Sequence, residues 1–157
     1  MPAPKSLSRT TASSVTATTI VSSLLTVDTS GAGFTDLTAE VAKFVTDARA
    51  REGAVTLFIR HTSASLTIQE NADPTVLVDL TTALNRLAPE NAGWHHDTEG
   101  PDDMPAHVKA MLNGVSLHVP VRQGRLVLGA WQGIYLVEHR ARPHRREVML
   151  QFIGGKA

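Results

Sequence analysis

The spacing of apolar residues divides the chain into segments with strand and helix patterns. β-branched residues dominate 15–27 and predict a strand with a break. Apolar residues recur at helical spacing in three other segments. These predict helices over 39–50, 75–87 and about 104–112. Thr38 and Asp73 stand where N-cap residues of the first two helices belong, and Pro74 suits the first helical position after Asp73.

Strand patterns outnumber helical ones, especially in the last third of the chain. Strict alternation makes 54–60 the clearest strand, whereas the segment after it, from His61, reads as a loop. Further strands are predicted over 115–121, 125–129, 134–140 and 147–153, with a tight turn at Gln123 and Gly124. The predicted fold class is therefore α+β: a largely antiparallel β-sheet folded as a sandwich or incomplete barrel, with two to three helices.

Composition narrows the class of protein. A length of 157 residues suits one domain, which we place at 15–157 after a loose, Ser- and Thr-rich segment over 1–14. Fifteen basic residues balance fifteen acidic ones, so bulk charge indicates neither a nucleic-acid nor a membrane partner. No cysteine is present, so a metal ion would need nitrogen and oxygen ligands. No apolar run suggests a signal peptide or membrane span, and we expect a cytoplasmic protein.

The stretch 94–109, WHHDTEGPDDMPAHVK, is the densest in chemistry-bearing side chains. It holds three of the seven histidines and four carboxylates, and almost no apolar residue before Met104. Such a segment is expected outside the core, because burying an unpaired charge is costly. It is either a functional loop or a solvated surface loop.

Histidines at 61, 96 and 107 are candidate ligands or acid–base groups. His61 follows the clearest strand, beside hydroxyls of Thr62 and Ser63 that could donate to phosphate oxygens; the alternative is a histidine that caps a strand. His96 and His107 are separated by ten residues, which is not a recognised zinc spacing. Three histidines from different elements could nevertheless converge on one metal ion.

Charged residues near the C-terminus allow two further expectations. Glu138 lies on a strand that otherwise looks buried, so it should pair with a histidine, lysine or arginine. The arginines that follow are interpreted as a solvated basic turn, and His139 and His144 lie in or beside it. These arginines are Arg140, Arg142, Arg145 and Arg146.

Three separated motifs carry a resemblance to a known family. HTSASLTIQENADP, HDTEGPDDMPAHVKAML and PVRQGRLVLGAWQGIYLVEHR together resemble the YjbQ family of small bacterial and archaeal proteins, commonly labelled secondary thiamine-phosphate synthases. The resemblance covers about Thr16 to the C-terminus. Asp103 stands where the family commonly has Asn, and Ala130 where it commonly has Thr; neither change removes a histidine.

The resemblance implies a compact α+β trimer with a polar pocket near the subunit interface. It implies catalytic roles for His61, His107 and Asp97, and substrate contacts from Thr62, Ser63, Asn71, Lys109 and Gln132. Glu138, like Asp97, would orient the histidines. A divalent metal (Mg, Zn, Mn or Ni) would be held by His61, His96 and His107.

The activity implied by the resemblance joins hydroxymethylpyrimidine diphosphate to thiazole phosphate, with loss of diphosphate. One alternative is a metal-dependent hydrolase of a small phosphorylated or acyl metabolite. Another is a non-catalytic trimer that binds an anion or metabolite. All three need the same polar pocket and a small anionic or phosphorylated partner, and none involves nucleic acid or a membrane.

Overall fold

The computed structural model describes residues 6–157. Residues 6–18 form neither helix nor strand, and their side chains are exposed. The first five residues of the segment predicted to be loose lie outside the described part. The strands are β1 Thr19–Asp28, β2 Gly33–Asp36, β3 Ala50–Ile59, β4 Ala64–Glu70, β5 Ser116–Arg122, β6 Arg125–Leu126, β7 Gln132–Glu138 and β8 Arg145–Lys156. The helices are α1 Thr38–Asp47, α2 Pro74–Leu87 and α3 Asp103–Asn113.

The strands form two sheets in which every pairing is antiparallel. The larger sheet has the order β1-β8-β3-β5-β6 and the smaller one β2-β7-β4. The two inner faces and one face of α1 enclose the core. Phe152, Leu57 and Leu136 are among its largest fully buried side chains, and Val41 and Val45 come from α1. The predicted α+β class, with a largely antiparallel sheet and three helices, is confirmed.

Side-chain caps explain where two helices begin. Asp73 is the N-cap of α2, as predicted: its Oδ1 accepts from Thr75 N at 2.9 Å, and Pro74 is the first helical residue. Thr38, predicted as the cap of α1, is instead its first residue. The carboxylate of Asp36 accepts from Thr38 N at 2.8 Å and satisfies the free N–H.

Two of the observed strands, β2 and β4, are not among those predicted from the sequence. The segment after His61 was interpreted as a loop, but Ala64–Glu70 is β4 and pairs with β7 along its whole length. Gly33 begins β2, a strand absent from the predicted pattern, which pairs with the other side of β7. In β4, ASLTIQE, three apolar residues alternate with polar ones as a strand pattern requires, so the loop interpretation was wrong on local grounds as well. Strand β2 is too short for alternation to be visible, and its pairing with the buried β7 makes it extended.

Helix α2 lies on the outside of the molecule, although its apolar stripe is strong. None of its fourteen residues is buried, and Val78 is 62% exposed and Leu87 67% exposed. None of the helices formed by residues 6–157 is both long and apolar enough to cross a membrane.

Candidate metal centre

The start of α3 brings two histidines and one carboxylate together. Asp103 and His107 are four residues apart, one helical turn, and so share a face of α3. His96 reaches the same point from the preceding loop. His96 Nε2 lies 2.7 Å from Asp103 Oδ2, and His107 Nε2 lies 3.5 Å from the same oxygen. One potential ligand atom from each residue falls within 4.8 Å of the others.

Asp103 is buried, at 2% exposure, in the stretch that was expected to stay outside the core. The burial is possible because its charge is paired: Arg140 Nη1 donates to Asp103 Oδ1. The same guanidinium donates from Nε to Asp102 Oδ2 at 3.1 Å and from Nη2 to the Glu99 carbonyl at 2.8 Å. Arg140 therefore fixes the loop before α3 and leaves Asp103 Oδ2 facing the histidines.

The pairing of Arg140 with Asp102 and Asp103 shifts the pKa values of Arg140 and Asp102. Burial alone would lower the pKa of Arg140, but the hydrogen bond and charge of Asp102, with the charge of Asp103, raise it overall. Burial alone would raise the pKa of Asp102, but hydrogen bonds from the backbone N–H of Ala141 and from Arg140 lower it overall. Arg140 and Asp102 therefore both stay ionised across the neutral pH range. The expectation that Arg140 belongs to a solvated turn is wrong, since its side chain is 15% exposed.

The backbone sets the tautomer of His107. His107 Nδ1 lies 3.0 Å from the carbonyl oxygen of Thr62, which can only accept, so Nδ1 carries a proton. In the neutral imidazole Nε2 then has a free lone pair, and this atom faces Asp103 Oδ2. A carbonyl that holds the far nitrogen of a ligand histidine is the usual second contact in protein metal sites. The donor set, two imidazoles and one carboxylate, fits a divalent transition metal.

Open space adjoins the group on two sides of the 98–101 loop. A cavity of about 400 Å³ is lined by His96, Asp97 and Trp94, whose indole N–H is fixed to the Pro89 carbonyl at 2.8 Å. A second cavity, of about 480 Å³, is lined by Arg140 and Arg142 together with carboxylates of the loop. Asp97, predicted as catalytic, therefore lies beside the group, but Asp103 is the carboxylate that touches both histidines.

His61, predicted as a metal ligand and catalytic residue, does not join this group of described residues. Its Nε2 accepts from the backbone N–H of Glu147 at 2.8 Å, which ties the end of β3 to β8. Burial, and then the charge of Arg146, lower the pKa of His61. The geometry favours the strand-capping alternative. Thr62 meets the group only through its carbonyl, and Ser63 Oγ accepts from Arg146 Nη2 at 3.0 Å.

Glu138 lies on the buried strand β7 and pairs with an arginine, Arg146, as predicted. Its oxygens accept from Arg146 at 2.5 and 2.7 Å, from Thr29 Oγ1 at 3.0 Å and from the N–H of Arg140 at 3.0 Å. Burial would raise its pKa, but these bonds, chiefly from Arg146, lower it overall. No histidine among residues 6–157 donates to Glu138, whereas Asp103 Oδ2 contacts both His96 and His107.

Three predicted substrate contacts lie away from the group. Asn71 Nδ2 donates to the Gln132 carbonyl at 3.4 Å, where β4 and β7 end. In that pair of strands Gln132 is six residues from Glu138, which corresponds to about 20 Å along a strand. Lys109 points elsewhere again: its Nζ donates to Asn85 Oδ1 at 2.7 Å, across to α2. One chain therefore does not gather all the predicted site residues into one pocket.

Sequence reasoning missed Asp103 and Arg140 as site residues. A signal for Asp103 was present, because an Asp and a His four apart at the start of a predicted helix share one face. Nothing local marked Arg140, since its partners lie 37 to 41 residues earlier in the chain.

Comparison with known proteins identifies the family. The model described as "UPF0047 protein YjbQ-like" matches residues 23–155. The chain belongs to the YjbQ family. A UPF0047 protein from Synechocystis is 46% identical over 132 residues, which covers 83% of this chain and 90% of that protein. YjbQ from Salmonella typhimurium is 51% identical over 102 residues, covering 65% of this chain and 74% of that protein. The resemblance carried by the three motifs is confirmed.

Solved structures of similar proteins support the same fold. A hypothetical protein from Aeropyrum pernix superposes with a TM-score of 0.80 at 27% identity, covering 86% of this chain and 99% of that one. A conserved hypothetical protein from Thermus thermophilus superposes with a TM-score of 0.74 at 39% identity, covering 82% and 97%. The fold of this chain is therefore shared with these two solved structures.

Proposed function

We propose that this chain is a metal-dependent enzyme that acts on a small phosphorylated metabolite. The observation that carries the proposal is the contact between His107 Nε2 and Asp103 Oδ2 at 3.5 Å. Thr62 already accepts the Nδ1 proton of His107, so neutral His107 presents a lone pair to a carboxylate oxygen. Two acceptors that face each other repel, and a cation between them, a proton or a divalent metal ion, removes the repulsion.

The residues around the group are arranged to hold such a cation. Arg140 takes Oδ1 of Asp103, and Oδ2 faces His96 Nε2 at 2.7 Å and His107 Nε2 at 3.5 Å. His96 completes the set from a loop that the same guanidinium fixes through the Glu99 carbonyl. A divalent metal bound there would supply positive charge to a departing diphosphate or polarise a phosphoryl oxygen. The cavity beside His96, lined by Trp94 and Asp97, is the space in which we place the substrate.

The reaction we propose to test first joins hydroxymethylpyrimidine diphosphate to thiazole phosphate. The thiazole nitrogen forms a bond to the pyrimidine methylene carbon as the bond from that carbon to diphosphate oxygen breaks. The leaving group carries the electron pair away, so charge neutralisation at the diphosphate is what the site must provide. The indole of Trp94, held by Pro89, offers a fixed aromatic surface for a heterocycle in the adjacent cavity.

The test is formation of thiamine phosphate by purified protein given both half-substrates and Mg²⁺, Mn²⁺, Zn²⁺ or Ni²⁺ in turn. The His96→Ala/His107→Ala double variant is compared with Asp79→Asn, a change at an exposed position of α2. Turnover by the natural protein and by Asp79→Asn, and none by the double variant, would support the proposal. Equal turnover by the double variant would contradict it.

A metal-dependent hydrolase is the second candidate, and the donor set favours it. Two histidines and one carboxylate with an open position also occur in hydrolytic zinc sites. This candidate predicts phosphate or acid release from a single substrate, without a second half-substrate. Ligand binding without any turnover would instead favour the non-catalytic alternative.

We also propose that the chain assembles into a homotrimer. Helix α2 buries none of its residues, and apolar side chains remain exposed on it and at the end of α3, where Met111 is 78% and Leu112 53% exposed. Adjacent exposed apolar side chains commonly mark an interaction surface. Light scattering coupled to size-exclusion chromatography would give three times the 16.9 kDa chain mass; a mass of one chain would contradict the proposal.

A further inference from the structure

The outer face of the larger sheet carries two bands of apolar side chains. The strand register places the outward residues of β1, β8, β3 and β5 side by side. The first band consists of Ile20, Ile153, Ala54 and Pro120, and the second of Leu24, Met149 and Phe58. Ile20 is 67% exposed and Ile153 47% exposed. The solvated face of an antiparallel sheet is normally polar, so these apolar bands indicate a face that a partner covers.

The polar side chains between the two apolar bands are already paired with one another. Gln151 Nε2 donates to Ser22 Oγ at 3.2 Å, and Thr56 Oγ1 lies 3.1 Å from His118 Nδ1. The register places these four residues in one row across the sheet. Because each has a partner within the row, covering the row costs less than burying unpaired polar groups would.

Helix α2 carries an apolar stripe that is left unburied. Val76, Leu80, Ala83 and Leu87 lie within about 60° of one another around the helix. A helix of fourteen residues is marginal in water unless it buries an apolar face, and none of these four residues is buried. The stability of α2 therefore calls for a second surface on which the stripe can pack.

The apolar stripe and the apolar bands lie on opposite sides of the sandwich. Leu84 of α2 lines a cavity together with Val137 of β7. Ile134 and Leu136 of the same strand belong to the core, so Val137, which alternates with them, points outward. Helix α2 thus lies outside the smaller sheet, whereas the bands are on the outside of the larger one. The stripe of one copy can reach the bands only on another copy.

We propose that the α2 stripe of one copy packs on the apolar bands of the next copy. Packing a helix on a sheet is one of the standard layer arrangements. The stripe from Val76 to Leu87 is about 16 Å long at 1.5 Å per residue, and the bands, four residues apart along each strand, are separated by about 13 Å. Because the two surfaces differ, the contact is head to tail, and copies related by a rotation close into a ring.

This inference deepens the proposed homotrimer, on which it rests for the number of copies, and it needs neither a metal ion nor an enzymatic activity. It replaces a general apolar surface with two named surfaces that meet each other. Each copy contributes its stripe to one neighbour and its bands to the other, so the two surfaces can be altered separately.

The experiment measures the mass of the natural protein and of four variants by light scattering coupled to size-exclusion chromatography. Phe58→Glu and Ile153→Lys alter the bands with charges of opposite sign, Leu87→Glu alters the stripe, and Ala42→Glu, at an exposed position of α1, is the control. We expect three times 16.9 kDa for the natural protein and the control. The other three variants should have the mass of one chain, because assembly would bury an unpaired charge. Circular dichroism should show that each variant is folded, since every altered side chain is exposed.

A mixture of two variants tests the head-to-tail contact. Phe58→Glu keeps an intact stripe and Leu87→Glu keeps intact bands, so one good contact can form between them. An equimolar mixture should therefore contain a dimer with one chain of each variant, at twice the chain mass, although neither variant assembles alone.

Several results would overturn the inference. Loss of assembly in the two band variants alone would indicate sheet against sheet, loss in Leu87→Glu alone would indicate helix against helix, and absence of a dimer in the mixture would exclude the head-to-tail contact. A trimer that persists in every variant would also overturn the inference but leave the proposed homotrimer intact. A natural ring of another size that the same three variants dissociate would contradict the trimer and support these surfaces, and a natural protein of one chain mass would contradict both.

Discussion

His107 Nε2 faces Asp103 Oδ2 at 3.5 Å from one helical turn further along α3. The Thr62 carbonyl fixes the proton of His107 on the opposite nitrogen, and Arg140 takes the opposite oxygen of Asp103. When His107 is neutral, both remaining atoms are acceptors that point at the same position. This arrangement is the basis for placing a cation between them.

Arg140→Lys should weaken metal binding about 10–100-fold, the usual effect of losing a residue that orients a ligand. A lysine has one ammonium group, so it cannot hold Asp102, Asp103 and the Glu99 carbonyl together as the guanidinium does. Isothermal titration calorimetry with Zn²⁺ or Mn²⁺ measures the change. Arg145→Lys is the control, since Arg145 is 74% exposed and 3.7 Å from its partner. Equal affinity in the two variants would contradict the role of Arg140.

His61→Ala and His107→Ala should separate the structural histidine from the ligand histidine. Removing His61 leaves the Glu147 N–H without its acceptor, so we expect a loss of about 1 kcal/mol in the free energy of unfolding and no change in metal affinity. Removing His107 should abolish tight metal binding, because a ligand is lost. Calorimetric titration and urea denaturation of both variants measure the two effects. Loss of metal binding in His61→Ala would show that His61 is a ligand.

Glu138→Ala should destabilise the protein by about 3–5 kcal/mol, because it leaves a buried Arg146 without its counter-charge. Urea denaturation at pH 7 gives the free energy of unfolding. Glu147→Ala is the matched control: Glu147 also pairs with an arginine, but its side chain is 40% exposed and the expected loss is below about 1 kcal/mol. Similar losses in the two variants would show that the Glu138 pair is not effectively buried.

Burial, opposed only in part by the charge of Glu138, lowers the pKa of His139 to about 4 from an ordinary value of 6.5. The unfolded chain then binds a proton at a higher pH than the folded one. The stability that neutral His139 contributes is fully present above about pH 6.5 and is lost as the pH falls toward 4. Between pH 7 and pH 5 this group should remove about 2 kcal/mol of stability. Urea denaturation at both pH values should show this loss in the natural protein and a smaller one in His139→Asn; equal losses would contradict the buried neutral histidine.

The amino-acid pattern predicted the features of the fold that depend on residues close together in the chain. Asp73 and Pro74 begin α2 because a cap and a fixed proline φ act within a few residues. The alternation of β3, and the need of Glu138 for a counter-charge, were likewise visible along the chain. Strand β4 was assigned to a loop although ASLTIQE alternates apolar and polar residues. Its pairing with β7 joins residues 62 to 74 positions apart, a contact that the local sequence does not show.

The candidate metal centre was predicted in part, for a similar reason. His96 and His107 were expected as ligands, and they meet. His61 was grouped with them on its chemistry and on the family resemblance, whereas its ring bonds to the backbone of β8, a contact that sequence spacing does not contain. Asp103 and Arg140 were passed over because a carboxylate in a polar stretch, and an arginine in a basic turn, look solvated until their partners are known.

The most direct test of the account is calorimetric titration of chelator-treated protein with Zn²⁺, Mn²⁺, Ni²⁺ and Mg²⁺. The account predicts saturable binding of one divalent ion per chain, weakened at least about tenfold in Asp103→Asn, where the ligand charge is lost and the shape is kept, and unchanged in Asp79→Asn. No saturable binding by the natural protein, or equal binding by Asp103→Asn, would contradict the metal centre and the enzymatic function built on it.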